Sequence, residues 1–264
     1  MLHDEISPYL DIIEKVVGTR WLHDQVHLIR GADPRYEIGA APGSRGIHPL
    51  ASSWFNAREE LILSQITGTL SFSEKTLRVA RLGKVLSYTA GLAGFSAQKN
   101  RLLDQSLYRN ASYEIAIAAG YVRSGNQVEF TAPGLLISLP GGPVIVDCFV
   151  ANSAGDADSL PFEAFEKEFN QGNGTNCPVV AYFELTANLY PQLREHFVQH
   201  VEIFKNLLTG KAYNALVVTC PVMATGLDGI KLREEGFTIT NPAPRFTLPA
   251  GFEIYSPGES SSIS

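Results

Sequence analysis

Two strongly apolar segments place the tightest limits on the fold that this sequence can adopt. They run from Pro178 to Leu185 and from Ala212 to Cys220, lengths that suit a strand better than a helix. Strands that are apolar along nearly their whole length are typical of sheets covered on both faces. The pattern from Leu193 to Leu208 predicts a helix between them. This order predicts an α/β fold with a mixed central sheet flanked by helices.

The residues before these strands predict one helix followed by three more strands. Leu107 to Val122 is amphipathic with helical spacing, and the turn sequence Arg-Ser-Gly-Asn follows it. Gln127 to Thr131 alternates polar and apolar residues, as a half-buried strand does. The apolar runs Leu135 to Leu139 and Val144 to Val150 are separated by Pro-Gly-Gly, which predicts a hairpin.

The first part of the chain has the pattern of a mainly helical region. Apolar residues recur at helical spacing from Ile6 to Val17 and from Trp54 to Ile66, and Ser73 is a candidate N-cap for a helix reaching Leu86. Glycine and proline dominate a predicted loop at 31–49. We therefore expect a helical region at 1–103, an α/β domain at 104–250 and a polar tail at 251–264.

Charge is distributed unevenly along the chain. Residues 51–110 carry eight basic and four acidic side chains, a balance of +4, whereas residues 111–200 carry three basic and ten acidic ones, a balance of −7. Because nucleic acid is held largely through its phosphates, the helical region is the better candidate surface. Its predicted nucleic-acid-binding residues are Arg78, Arg81 and Lys84; the ordinary alternative is a solvated helix face.

The helix and hairpin carry a resemblance to a known family. The stretch YEIAIAAGYVRSGNQVEF, followed by PVIVDCF, resembles the restriction-endonuclease-like, or PD-(D/E)xK, nuclease superfamily. The resemblance implies that Glu114 is the acid carried by the first helix of the superfamily's domain, here the helix predicted from Leu107 to Val122. It implies that Asp147 is the acid of the acid-x-Lys motif. It also implies Mg²⁺-dependent phosphodiester cleavage, in which clustered carboxylates hold the metal.

The sequence departs from that motif at two places. Phe149 stands where the resemblance expects the lysine, and no acid occurs between Phe130 and Val146, where Leu135, Leu136 and Ser138 lie. Glu114 and Asp147 alone can hold at most a weakly bound, hydrated Mg²⁺, so no cofactor is expected. The prediction is a degenerate nuclease that cleaves nothing. It would bind nucleic acid or a partner protein, for example in a bacterial defence or DNA-processing system.

Two catalytic alternatives stay open. In the first, a rearranged Mg²⁺ nuclease uses Glu114, Asp147 and Glu184, with Lys167 as the cation. In the second, His23 and His27, four residues apart in His-Asp-Gln-Val-His, resemble a zinc-hydrolase motif in which Asp replaces Glu. That motif lacks an evident third ligand.

The remaining composition points to a cytoplasmic protein that does not contact membranes. No apolar run approaches the roughly 18 residues that a membrane-spanning helix needs. The N-terminal residues are acidic and amphipathic, unlike a signal peptide. Cys148, Cys177 and Cys220 form no close-spaced metal motif, and their odd number favours reduced thiols.

Overall fold

Taken together, the parts of the chain that the structure describes contain helices and a single sheet. The computed structural model describes residues 3–31, 46–68, 72–132, 134–150, 176–185, 197–226, 229–256 and 259–262. The helices are α1 (His3–Val17), α2 (Thr19–Gly31), α3 (Pro49–Thr67), α4 (Glu74–Thr89), α5 (Phe95–Leu103), α6 (Tyr108–Arg123) and α7 (Phe197–Leu208). The strands are β1 (Gln127–Phe130), β2 (Leu135–Ser138), β3 (Val144–Val150), β4 (Val179–Glu184), β5 (Tyr213–Gly226), β6 (Gly229–Thr240) and β7 (Glu259–Ser262).

The chain divides into two compact units. The first, called the helical unit below, comprises Met1–Ala119 with Met223–Leu232, and the second, the sheet unit, comprises Gly120–Val222 with Arg233–Ser264. The division falls inside α6, whereas the sequence-based boundary at residue 103 precedes that helix. Most of the loop predicted at 31–49 lies outside the described residues.

In the helical unit, α4 packs against both α1 and α3. Ser73 caps α4, because its side chain accepts a hydrogen bond from the Thr76 N–H, as the sequence predicts. Gly83 lets α1 approach closely, since a Cβ at this position would lie 2.2 Å from the carbonyl oxygen of Tyr9. The apolar positions Ile6, Leu10 and Ile13 of α1 are fully buried. The helical periodicity of α1 therefore corresponds to real packing.

The sheet unit is built on a mixed sheet whose strands follow one another in chain order, β1 to β7. β2 is antiparallel to both β1 and β3, so these three strands form a meander. β3, β4 and β5 are mutually parallel, and β7 is parallel to β6. The α/β class with a mixed sheet is thus observed.

Each face of the central strands is covered. On one face, the side chains of Val179, Ala181 and Phe183 join an apolar cluster with Phe204 and Leu208 of α7. On the other face, the buried Tyr182 ring meets Tyr121, at the C-terminal end of α6, at a centroid distance of 6.2 Å. Helices therefore flank the sheet, as the apolar β4 and β5 patterns predict.

The segment predicted as a polar tail takes part in the fold. Phe252 stacks on Tyr121 with ring centroids 5.7 Å apart, and the backbone carbonyl of Tyr255 accepts a hydrogen bond from Tyr182. Glu259–Ser262 forms β7. Among the described helices, none combines the length and apolar character needed to cross a bilayer.

Candidate functional site

Asp147 lies in the middle of β3 on the sheet face that α7 covers. Side chains alternate along a strand, so Ile145, Asp147 and Phe149 share this face. Ile145 and Phe149 pack against the apolar cluster of α7 and the neighbouring strands, which fixes the face. The carboxylate Oδ2 accepts a hydrogen bond of 3.3 Å from the Tyr213 hydroxyl. The acid is therefore held by a neutral donor within a mostly apolar surface.

An irregularity in β5 places Tyr213 beside this acid. The register shifts between Val179 and Val180, so Val179 pairs with Tyr213 and Val180 with Ala215. The intervening Asn214 accepts a hydrogen bond from the Val179 N–H through its side-chain oxygen, at 3.2 Å. This bulge puts the Tyr213 ring on the α7 face, from which its hydroxyl reaches Asp147.

Phe149, at the position where the resemblance expects a lysine, is half-buried and packs against the core. Its ring lies 6.2 Å from that of Phe183 between centroids, with a tilt of 35°. The two residues are paired in register across β3 and β4. An apolar ring thus lies two residues beyond Asp147 on the same face. Its side chain packs against the apolar cluster.

Gly134, the residue immediately before β2, lies opposite Asp147. Leu135 pairs with Val146, so the register continues to Gly134 and Asp147. Gly134 has a φ of +76°, and a Cβ built there would lie 2.3 Å from the Val146 carbonyl oxygen and 3.1 Å from Asp147 Oδ1. The sequence reasoning placed the missing acid among Leu135, Leu136 and Ser138. None of these three is the residue opposite Asp147, which is Gly134, and the backbone leaves no room there for a side chain.

Glu184 and Asp147 lie on opposite faces of the sheet. Asp147 pairs with Ala181, and Val150 pairs with Glu184. Since Glu184 is three residues from Ala181, its side chain leaves the other face, the one that carries Tyr182. The rearranged nuclease site requires these two carboxylates to converge, and the sheet separates them. Lys167, its proposed cation, lies outside the described residues.

Cys177 lies near enough to Asp147 for the two groups to interact electrostatically. Burial raises the pKa of the Cys177 thiol, and the negative charge of Asp147 raises it further. Both effects favour the neutral thiol. This cysteine therefore has the opposite environment to that of a nucleophilic or metal-binding thiolate.

Glu114 lies on α6, the helix that precedes the meander, and is the acid that the resemblance assigns to the first helix of the superfamily's domain. It forms a buried ion pair in the helical unit. Arg101 donates to both of its carboxylate oxygens, at 2.5 Å to Oε2 and 2.9 Å to Oε1. Gln98 donates a further hydrogen bond of 2.8 Å to Oε2. The Glu114 side chain is only 5% exposed, whereas that of Arg101 is 32% exposed. A carboxylate neutralised in this way is a poor candidate for a Mg²⁺ ligand.

The predicted nucleic-acid-binding residues lie on α4. Arg78 is exposed and pairs with Glu74, one turn earlier, through a hydrogen bond of 2.7 Å from its Nε. Arg81 and Lys84 are half-buried, and Lys75 is exposed beside Glu74. The outer surface of α4 therefore presents basic groups, of which Arg78 is partly neutralised within the helix.

The candidate zinc ligands His23 and His27 are both exposed on α2. Among the described residues, no three His, Cys, Asp or Glu side chains come together in a group that could hold a metal ion. Within this part of the chain, the two histidines have no third ligand near them.

Comparison with protein-family models gives no match for this chain. A search of curated proteins likewise finds no similar sequence.

Proposed function

We propose that the sheet unit is a restriction-endonuclease-like domain without phosphodiesterase chemistry, and that the protein acts by binding nucleic acid. The observation that carries the first part is the surrounding of Asp147. A phenylalanine packed against the core follows it on the same face, and a glycine without space for a side chain lies opposite it. A nuclease of this superfamily needs a cation and a second carboxylate near that acid.

The strand order supports the proposed fold. A helix leads into the antiparallel meander β1 to β3, which agrees with the helix and hairpin that carry the resemblance, and β4 and β5 continue the sheet in parallel with β3. The superfamily motif begins with Pro-Asp, and this chain has Pro133-Gly134 there. One substitution at that point accounts for the missing acid. Phe149 accounts for the missing cation.

The proposed ligand rests on charge. The helical unit contains the residues with the +4 balance, and the exposed Lys75 and Arg78 are on one helix. Basic side chains on a helix surface suit contacts with phosphates, which give affinity with little sequence preference. A partner protein is the other ligand class expected from the sequence.

Nuclease assays test the loss of chemistry. Plasmid DNA and RNA are incubated with the protein in Mg²⁺ or Mn²⁺, beside the Asp147→Asn variant as a matched control. We expect no degradation above background by either protein. Metal-dependent cleavage that disappears in Asp147→Asn would overturn the proposal.

Fluorescence anisotropy with labelled duplex and single-stranded oligonucleotides tests the ligand. We expect an affinity that falls steeply with salt and that decreases in the Arg78→Ala/Arg81→Ala variant, while Arg20→Ala, exposed on α2, changes it little. No binding at low salt would exclude nucleic acid and leave a partner protein as the ligand.

A further inference from the structure

His48 caps the first turn of α3 with its imidazole. Its Nδ1 accepts a hydrogen bond of 3.2 Å from the Leu50 N–H, and its backbone has the extended conformation of an N-cap, with φ −62° and ψ 131°. Pro49 follows as the first helical residue, where its missing N–H costs nothing. Serine, threonine, aspartate and asparagine are the usual caps, and none of them titrates as imidazole does. An acceptor on Nδ1 requires that this nitrogen carry no proton.

The imidazole is buried between two aromatic rings. His48 is only 5% exposed. The Trp21 ring of α2 lies 5.1 Å away and the Tyr108 ring of α6 lies 5.3 Å away, both nearly perpendicular to it. Its backbone N–H donates to Gln25 Oε1 at 3.1 Å. Nε2 is buried and makes no well-formed hydrogen bond to the described residues, and the acceptor that acts on the ring is the Asp104 backbone carbonyl. A charged imidazole would therefore be poorly solvated here.

Asp104 is the charged group that acts on His48 from the described part of the chain. It lies between α5 and α6, and its carboxylate accepts hydrogen bonds from Ser106 and Leu107. Its backbone carbonyl and its charge both favour the protonated imidazole, but burial outweighs them and lowers the pKa of His48 from 6.5 to about 4. Trp21, Gln25 and Tyr108 carry no charge in this pH range.

We propose that His48 is a proton-sensitive lock on the start of α3, which acid opens by turning the capping acceptor into a donor. Protonated Nδ1 would face the Leu50 N–H, donor against donor, and the first turn of α3 would lose its cap. The positive charge would also have to leave the space between Trp21 and Tyr108. The helical unit would therefore loosen in acid, starting where α3 begins.

The direction of the pH dependence follows from the two states. The unfolded chain binds the proton near pH 6.5 and the folded chain only near pH 4, so the stabilisation is complete above 6.5 and is lost as the pH falls toward 4. Between pH 6.5 and pH 4, this one group raises the equilibrium constant for unfolding about tenfold for each unit by which the pH falls.

Nitrogen-15 NMR of the intact protein tests the protonation state directly. We expect His48 to be neutral, with the proton on Nε2, and to titrate only near pH 4. Titration of His48 at pH 6 or above in the folded protein would overturn the proposal, as would a proton on Nδ1 at neutral pH.

Urea denaturation between pH 7.5 and 4.5 tests the consequence, with His48→Asn as the matched variant. Asparagine caps helices well but does not titrate. Protonation of carboxylates affects both proteins alike, so the difference isolates His48. Below pH 6.5, we expect the ratio of the wild-type unfolding constant to that of the variant to rise about tenfold for each unit by which the pH falls. Parallel pH profiles would refute the lock.

Discussion

Gly134 combines two separate obstacles to a side chain. Its φ of +76° is a conformation that costs other residues roughly 1–2 kcal/mol, and its missing Cβ makes room for the Val146 carbonyl, 2.3 Å from where that atom would be. The first obstacle is common among turn glycines. The second is specific to the contact between β2 and β3, beside Asp147.

A pair of alanine substitutions separates these two costs. Gly125 has a similar φ of +83°, but no atom lies within 4 Å of a Cβ built there. We expect Gly125→Ala to lower the free energy of unfolding by roughly 1–2 kcal/mol. Gly134→Ala should cost about 1–3 kcal/mol more, because the β3 backbone must move. Equal losses in urea denaturation would show that the Val146 contact is easily relieved, and a carboxylate at 134 would then be possible.

The residues around Asp147 show how much of the candidate site can be predicted from sequence. The spacing of Asp147 and Phe149 along a strand already places both on one face, since strand side chains alternate. The proximity of Gly134 to Asp147 could not be predicted, because it depends on the register between β2 and β3, which the sequence leaves open. The partners of Glu114 could not be predicted either, because Gln98 and Arg101 lie on another helix.

At the scale of elements, local patterns predicted most helices and strands in the described residues. β3 occupies Val144–Val150 as expected, because its apolar run ends at turn residues on one side. α5 was missed, because its nine residues are too few to show a clear periodicity. β7 was missed as well, because its Glu-Ser-Ser-Ser sequence has no strand propensity and pairing with β6 determines it.

The docking of the C-terminal segment on the sheet depends on a closed ring of hydrogen bonds. Tyr182 donates to the Tyr255 carbonyl at 2.6 Å, so Tyr121 is the donor in the 2.8 Å contact between the two hydroxyls. The Tyr255 N–H returns to the Tyr121 oxygen at 3.5 Å. Burial raises the pKa of Tyr121, which keeps its hydroxyl protonated. Gly120 leaves space for the Tyr255 ring.

We expect Tyr182→Phe to lower the free energy of unfolding by about 1–3 kcal/mol, because it leaves a buried hydroxyl and a carbonyl without their partner. Tyr121→Phe should cost a similar amount, and the double variant clearly less than the sum. Urea denaturation of the three variants measures the coupling, and hydrogen exchange at residues 252–255 locates it. Additive losses would show that the hydroxyls act independently.

At the scale of the whole molecule, net charge and local charge have opposite signs. The chain carries −6 overall, yet residues 51–110 carry an excess of basic groups. Long-range attraction to nucleic acid is therefore weak, and the proposed binding would have to come from a local surface within about a Debye length, roughly 8 Å at physiological salt. α4 is such a surface only if Arg78 can exchange Glu74 for a phosphate.

Two substitutions in that ion pair should change affinity in opposite directions. Glu74→Gln and Arg78→Ala both remove the same exposed contact, of about 0.3–0.5 kcal/mol, and Glu74→Gln also removes a favourable negative charge from the first turn of α4. Glu74→Gln frees the guanidinium and removes a negative charge, and we expect it to strengthen oligonucleotide binding. Arg78→Ala should weaken binding and reduce the slope of log affinity against log salt by about 1. Anisotropy titrations across a salt series measure both quantities. If the two variants shift affinity in the same direction, α4 does not contact the phosphates, and its basic residues form an ordinary solvated face.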